Sequence, residues 1–198
     1  MPGETRERIL ETALELFAQR GYLATSTSEI ADRLGMTKAA LYKHYPCKQA
    51  ILDRIVERMR EMDDAGAKTY EMPEQLPECA PEAYRQVPAD RIRAFSMAQF
   101  RYWTQQPFAA NFRKMLTLEQ YRQPQFAALY QNYLASGPVG YMAAVFADMA
   151  ESEEDAMQLA LEFYGPMFLL YSVYDSAEDK TQPAALLSAH IDRFFARM

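Results

Sequence analysis

The sequence predicts an all-α chain, with short N-terminal helices paired as a helix-turn-helix and a longer helical part after a proline-rich stretch. Three observations predict it. Apolar residues recur at helical spacing almost throughout, no segment alternates with the period of a strand, and the helical runs are bounded by capping residues, glycines or prolines. No internal repeat is present.

The first run, residues 5–20, carries Ile9, Leu10, Ala13, Leu14 and Phe17 on one face, with Thr5 as its cap and Gly21 as its stop. In the second, Ser26 and Glu29 form a capping box ahead of Ile30, Ala31 and Leu34, and Gly35 ends it. Thr37 caps a third helix expected to reach Tyr45, with Leu41 and Tyr45 inward, before Pro46 breaks it. A fourth starts near Lys48 and runs to about Ala67 with Ile51, Leu52, Ile55, Val56, Met59 and Met62 as its stripe. Its start is weakly capped, because the Cys47 thiol is a poor acceptor.

Residues 71–88 hold Pro73, Pro77, Pro81 and Pro88 and read as an irregular linker. Helices follow at 89–106, 107–122 and 124–150, the last kinked at the SGPVG of 136–140. Ser152 and Asp155 box the start of the next, which Pro166 should kink, and a final helix covers 183–197. The expected domains are therefore 1–47 and 48–198, with 48–67 as the connecting helix.

The chain has 198 residues, 49% of them apolar and 24% charged, ample for one large or two small globular domains. No apolar run approaches the ~18 residues that would span a bilayer, and the opening MPGETRERIL lacks the apolar stretch of a signal peptide. Cys47 and Cys79 make no disulfide framework, so a cytoplasmic location without membrane association is expected. An enzyme is not expected: His44 and His190 have no metal-ligand spacing, and there is no nucleophile elbow or phosphate-cradling glycine loop. Neither metal nor other cofactor is called for.

The formal net charge is −6, yet residues 1–48 carry seven basic against six acidic side chains, and no acid falls between Gly35 and Leu52. The second helix of a helix-turn-helix can enter the major groove of duplex DNA. Thr37, Lys38, Ala39, Tyr42, Lys43 and His44 suit that position. The alanine is small, the cations and hydroxyls meet phosphates or base acceptors, and a carboxylate would be repelled. Helix N-termini at Ser26–Thr27 and near Lys48 offer amides to phosphates. Helix pairs with a glycine turn also occur in all-α proteins of other function, so spacing and charge alone leave both readings open.

The residues themselves add a resemblance. ATSTSEIADRLGMTKAALYKHYPCKQAIL, through Ser26, Ile30-Ala31, Gly35-Met36-Thr37, Ala39-Ala40, Leu41-Tyr42, His44-Tyr45 and Lys48, resembles the N-terminal signature of the TetR family of transcriptional regulators. RERILETALELFAQRGY resembles that family's first helix, and the likeness covers about residues 6–56. Ala39 stands where glycine is common, Cys47 where Ser, Asn or Asp is usual, and Gln49 where an acid is usual. The resemblance implies DNA binding by Ser26, Thr27, Thr37, Lys38, Ala39, Tyr42, Lys43, His44 and Lys48. It also implies a C-terminal ligand-binding and dimerisation domain, and thus a homodimeric repressor that an unidentified small molecule releases from operator DNA. A family member that binds a protein partner instead of DNA is the alternative; a helical carrier or enzyme lacks a catalytic constellation.

For the ligand pocket, Phe100, Trp103, Phe108, Phe112, Met115, Tyr121, Tyr130 and Tyr141 are the expected lining, set against the plain-core reading that such stripes usually deserve. Excess apolar surface on the last two helices points to a dimer interface through Tyr164, Phe168, Tyr171, Leu187, Ile191 and Phe194, against the alternative of a larger monomer core.

Overall fold

The computed structural model describes residues 2–69 and 87–198, and among these it contains helices and no strand. The helices are α1 (Pro2–Arg20), α2 (Thr27–Arg33), α3 (Lys38–Tyr42), α4 (Lys48–Thr69), α5 (Ala89–Gln105), α6 (Pro107–Glu119), α7 (Pro124–Leu134), α8 (Ser136–Phe146), α9 (Glu153–Ser176) and α10 (Thr181–Phe195). The expected linker, with Cys79, lies outside the described residues apart from Val87 and Pro88.

Several boundaries differ from expectation. α1 begins at Pro2, a residue pre-set for the first position of a helix, so Thr5 lies inside the first turn and does not cap. α3 stops at Tyr42, short of Tyr45. After it the chain tightens into bonds three residues back, Lys43 N to Ala40 O (3.2 Å) and His44 N to Leu41 O (2.9 Å). Pro46 disfavours helical backbone just before itself.

The expected kink at 136–140 is a break between α7 and α8, with Ala135 at φ −124, ψ −101. Pro138 has no N–H for the carbonyl of Leu134 four residues back. The Tyr164 hydroxyl donates to that carbonyl instead, at 2.9 Å. Gly137 is packed so closely on the Asn132 carbonyl that a Cβ there would overlap it. α9, by contrast, continues through Pro166, and the nearby Phe163 carbonyl accepts from His190 Nε2 at 3.0 Å.

The chain divides into two compact units, Met1–Asp63 with Pro107–Tyr130, and Asp64–Gln106 with Gln131–Met198. The first is wider than the expected 1–47, because α6 packs along α1. Its buried residues include Leu10, Leu14, Phe17, Ile30, Leu41, Ile51, Ile55, Phe112 and Met115. Arg58 of α4 ties it laterally: its guanidinium donates to Glu7 (2.6 Å) and lies 4.2 Å from the Phe108 ring centroid.

In the second unit α9 packs against α8, α10 and α5. Phe146, Phe163 and Phe194 form one aromatic cluster, with centroids 5.0–5.3 Å apart. Phe100 stacks on Tyr171 at 5.7 Å. Arg93 of α5 pairs with Asp192 and donates to the Ser188 hydroxyl of α10 (2.9 Å).

Candidate nucleic-acid interface

The helix pair is set by its caps. The Ser26 hydroxyl accepts from the Glu29 amide (3.2 Å), and the Glu29 carboxylate accepts from the Ser26 amide (2.7 Å), completing the capping box that the sequence predicts. The Ser26 amide first, then the Ser26 hydroxyl, and the charge of Arg20 2.9 Å away hold the Glu29 carboxyl below its ordinary range. Gly35 turns the chain at φ +65, a left-handed conformation that favours glycine. Thr37 then caps α3 by accepting from the Ala40 amide at 3.1 Å.

This arrangement presents an exposed strip. Thr37, Lys38, Ala39, Tyr42 and Lys43 are exposed, whereas Leu41 on the opposite face is buried. Ser26 is also exposed and His44 is half-buried. With five residues, α3 covers about 7 Å at 1.5 Å per residue, so few side chains at a time can reach base edges.

Two expected contacts have structural duties. Thr27 is buried, and its hydroxyl lies 3.0 Å from the Tyr42 hydroxyl, joining α2 to α3. The Tyr42 side chain still presents its ring, 41% exposed, with Lys38 Nζ 5.7 Å from the ring centroid. Lys48 is turned inward: its ammonium donates to the carbonyls of Tyr22 (2.7 Å) and Thr25 (2.8 Å) and sits 4.4 Å from the Tyr22 ring centroid. Burial lowers its pKa, against the opposing pull of Glu119 and Glu29. Two of its three donors are therefore spent on the α1–α2 turn, and it clamps that turn more than it faces solvent.

Further ties are not visible in the sequence pattern. Tyr22 donates to the Gln49 side chain (3.1 Å), which occupies the place of the family's usual acid, and burial followed by the nearby Asp53 and Cys47 raises the tyrosine's pKa. Arg6 donates to the His44 carbonyl (3.2 Å) from 38 positions away, a separation that no local motif reports. Cys47 is exposed and free.

The other expected sites fare unevenly. Of the pocket set, Phe108, Phe112 and Met115 are buried in the first unit, whereas Phe100, Trp103 and Tyr141 belong to the second, with Trp103 and Phe100 buried and Tyr141 partly so. Tyr130 is half-buried. Tyr121, in the turn after α6, is 91% exposed and lines nothing, because α6 ends three residues earlier than the periodicity suggests. Of the interface set, Tyr164, Tyr171, Leu187, Ile191 and Phe194 are buried in the chain's own core, and Phe168 is exposed. The large apolar residues exposed on α9 and α10 are Met157, Leu161, Phe168, Leu169, Val173 and Leu186.

Among the described residues no cluster of three or more His, Cys, Asp or Glu side chains could hold a metal ion. No helix among them is long and apolar enough to cross a membrane.

Comparison with known proteins falls on this N-terminal region. The profile of the family described as bacterial regulatory proteins, tetR family, matches residues 9–55. The regulator AcrR of Shigella flexneri is 44% identical over 54 residues, and the class C tetracycline repressor of Escherichia coli 43% over 54. Each match covers 27% of this chain and only a quarter of the relative's length. Over the whole chain, the structure of the SmeT–triclosan complex superposes with a TM-score of 0.65 at 18% identity, covering 98% of this chain and 91% of that one; at that identity the likeness is one of fold. The likeness to the tetR family of bacterial regulatory proteins thus rests on residues 9–55, with their capping box, their glycine turn and the exposed strip of α3.

Proposed function

We propose that the chain is a sequence-specific DNA-binding transcriptional regulator, a homodimeric repressor released by a small apolar or aromatic molecule. The observation that carries the reading is the exposed, acid-free strip from Thr37 to Lys43 on a helix pair fixed by two capping arrangements. Lys38, Lys43 and the Tyr42 ring supply phosphate and base contacts, Ala39 allows close approach, and Ser26 and His44 flank the strip. Thr27 and Lys48 act from behind by holding the helices at their angle.

The dimer forms through the exposed apolar residues Leu161, Phe168, Leu169, Val173 and Leu186, whose exposure on two adjacent helices is unusual for a monomer. A two-fold dimer would set two recognition helices about 34–36 Å apart, one turn of DNA. The effector enters the aromatic layer of the second unit, where Trp103 meets Tyr133 at 6.3 Å and Phe95 meets Tyr141 at 6.2 Å; SmeT, of like fold, binds triclosan. Because α4 and α7 each run from one unit into the other, an effector that prefers one arrangement shifts the population of the DNA-binding one.

The test is a footprint and gel shift on the DNA upstream of the chain's own transcription unit. Tyr42→Ala and Lys43→Ala should each lose binding by about 10-fold or more while sedimenting as the parent does. Normal footprints from both variants would reject the assignment.

A further inference from the structure

Glu119, the last residue of α6, is fully buried, and only one of its carboxylate oxygens has a partner: Oε1 accepts from Arg122 at 3.0 Å, while Oε2 accepts nothing. An ionised carboxylate in that condition is costly and needs a reason. Its position supplies one. The carboxylate lies close against Gly21, where a Cβ would overlap Oε1 and come within 2.7 Å of Arg122 Nη1. Gly21 is at φ +89, the residue that ends α1 and opens the turn to α2.

The next residues of that turn are gripped from two more sides. Tyr22 packs on Phe126 of α7, centroids 5.2 Å apart. The Tyr22 and Thr25 carbonyls accept from Lys48, and the Thr25 hydroxyl donates back to the Gly21 carbonyl at 2.9 Å. The turn leads directly into the Ser26 capping box. It is thus held between the α6–α7 corner, which contributes Glu119, Arg122 and Phe126, and the first residue of α4. The Glu119 charge also acts on Lys48 and, with that of Glu29, opposes the effect of burial on the ammonium.

We propose that Glu119 is a positioning residue for the recognition helices: its buried carboxylate, seated on Gly21 beside Arg122, locks the α1–α2 turn to the α6–α7 corner, so that the placement of α2 and α3 follows that corner. The consequence for DNA rests on the function proposed above; the mechanical claim does not.

The test variant is Glu119→Gln, which keeps the shape and removes the charge, leaving Arg122 without its buried anion. Hydrogen exchange on the full chain should show amides of residues 21–27 exchanging at least about tenfold faster, the scale of one lost charge-assisted hydrogen bond, with the amides of Ile9–Phe17 unchanged. Arg122→Ala, at a half-exposed side chain, should move the same amides in the same direction. Affinity for the upstream duplex should fall about tenfold with an unchanged slope of log K against log salt, because no phosphate contact is removed.

Unchanged exchange at 21–27 in both variants, or an equal rise across α1, would overturn the proposal, the second showing a merely structural role. A loss of salt slope near 0.9 would overturn it too, by making the effect one of direct contact. If the parent chain binds no DNA while the exchange result holds, the DNA-binding reading fails and the lock stands.

Discussion

Replacing Lys48 by methionine separates the two roles its position offers. Methionine keeps the apolar stem and removes the ammonium. Lost with it are two charge-assisted bonds, at 2.7 and 2.8 Å, to the carbonyls of Tyr22 and Thr25, and a cation 4.4 Å from the Tyr22 ring centroid. Hydrogen bonds to charged groups contribute about 1.5–3 kcal/mol each, and a cation over an aromatic ring about 0.5–1 kcal/mol at exposed sites. Against this stand the burial cost of the ammonium, which depresses its pKa, and the rehydration of the released carbonyls on a half-exposed turn. The balance is a loss of about 2 kcal/mol, or about 4–8 °C in melting temperature for a chain of this size. Thermal melts give that number. Fluorescence-anisotropy titrations of the upstream duplex over a range of salt give the other: the log–log slope should stay at the parent value for Lys48→Met and fall by about 0.9 for Lys43→Ala. If Lys48→Met melts with the parent but loses about 0.9 in slope, Lys48 is a phosphate contact and does not clamp the turn.

Four further outcomes follow from other parts of the molecule. Ser26→Ala should cost about 1 kcal/mol by unmaking the cap of α2. Because the Glu29 carboxyl is held below its ordinary value of 4.5 in the fold, the stability it lends is complete above that pH and is lost as pH falls through the folded value; amide exchange in α2 measured at neutral pH and in acid reads this directly. Gly137→Ala should destabilise the second unit by about 1–3 kcal/mol, as overpacking does, since its methyl group meets the Asn132 carbonyl; chemical denaturation measures it. Leu169→Asp, at a position 64% exposed, should leave the melting of the single chain unchanged and sediment as a monomer where the parent sediments as the proposed dimer.

Local chemistry made much of the head legible in advance. A serine three residues before a glutamate, a threonine before two alanines and a glycine between them are self-contained signals, and the caps form as that pattern requires. Long-range partners are not written locally. Nothing near Lys48 in sequence reports that its ammonium will find the carbonyls of residues 22 and 25, and nothing near Thr27 reports the Tyr42 hydroxyl. The last two helices show the other failure. α9 is apolar on several faces, so periodicity alone could not separate Tyr164 and Tyr171, which face the chain's own core, from Leu161, Leu169 and Val173, which do not. At 136–140 the proline and glycine announced a disturbance, but whether it kinked or broke the helix depended on Tyr164, a distant hydroxyl able to satisfy the orphaned Leu134 carbonyl.

The central claim is that the acid-free strip of an otherwise acidic chain binds duplex DNA. Titrating the full chain against the duplex upstream of its own transcription unit, across a range of salt, tests it most directly. The expected result is saturable binding whose log K falls linearly with log salt, at about 0.9 per phosphate neutralised, and competition by that duplex well beyond an unrelated one of equal length. Binding that is absent at low salt, or indifferent to salt, would contradict it.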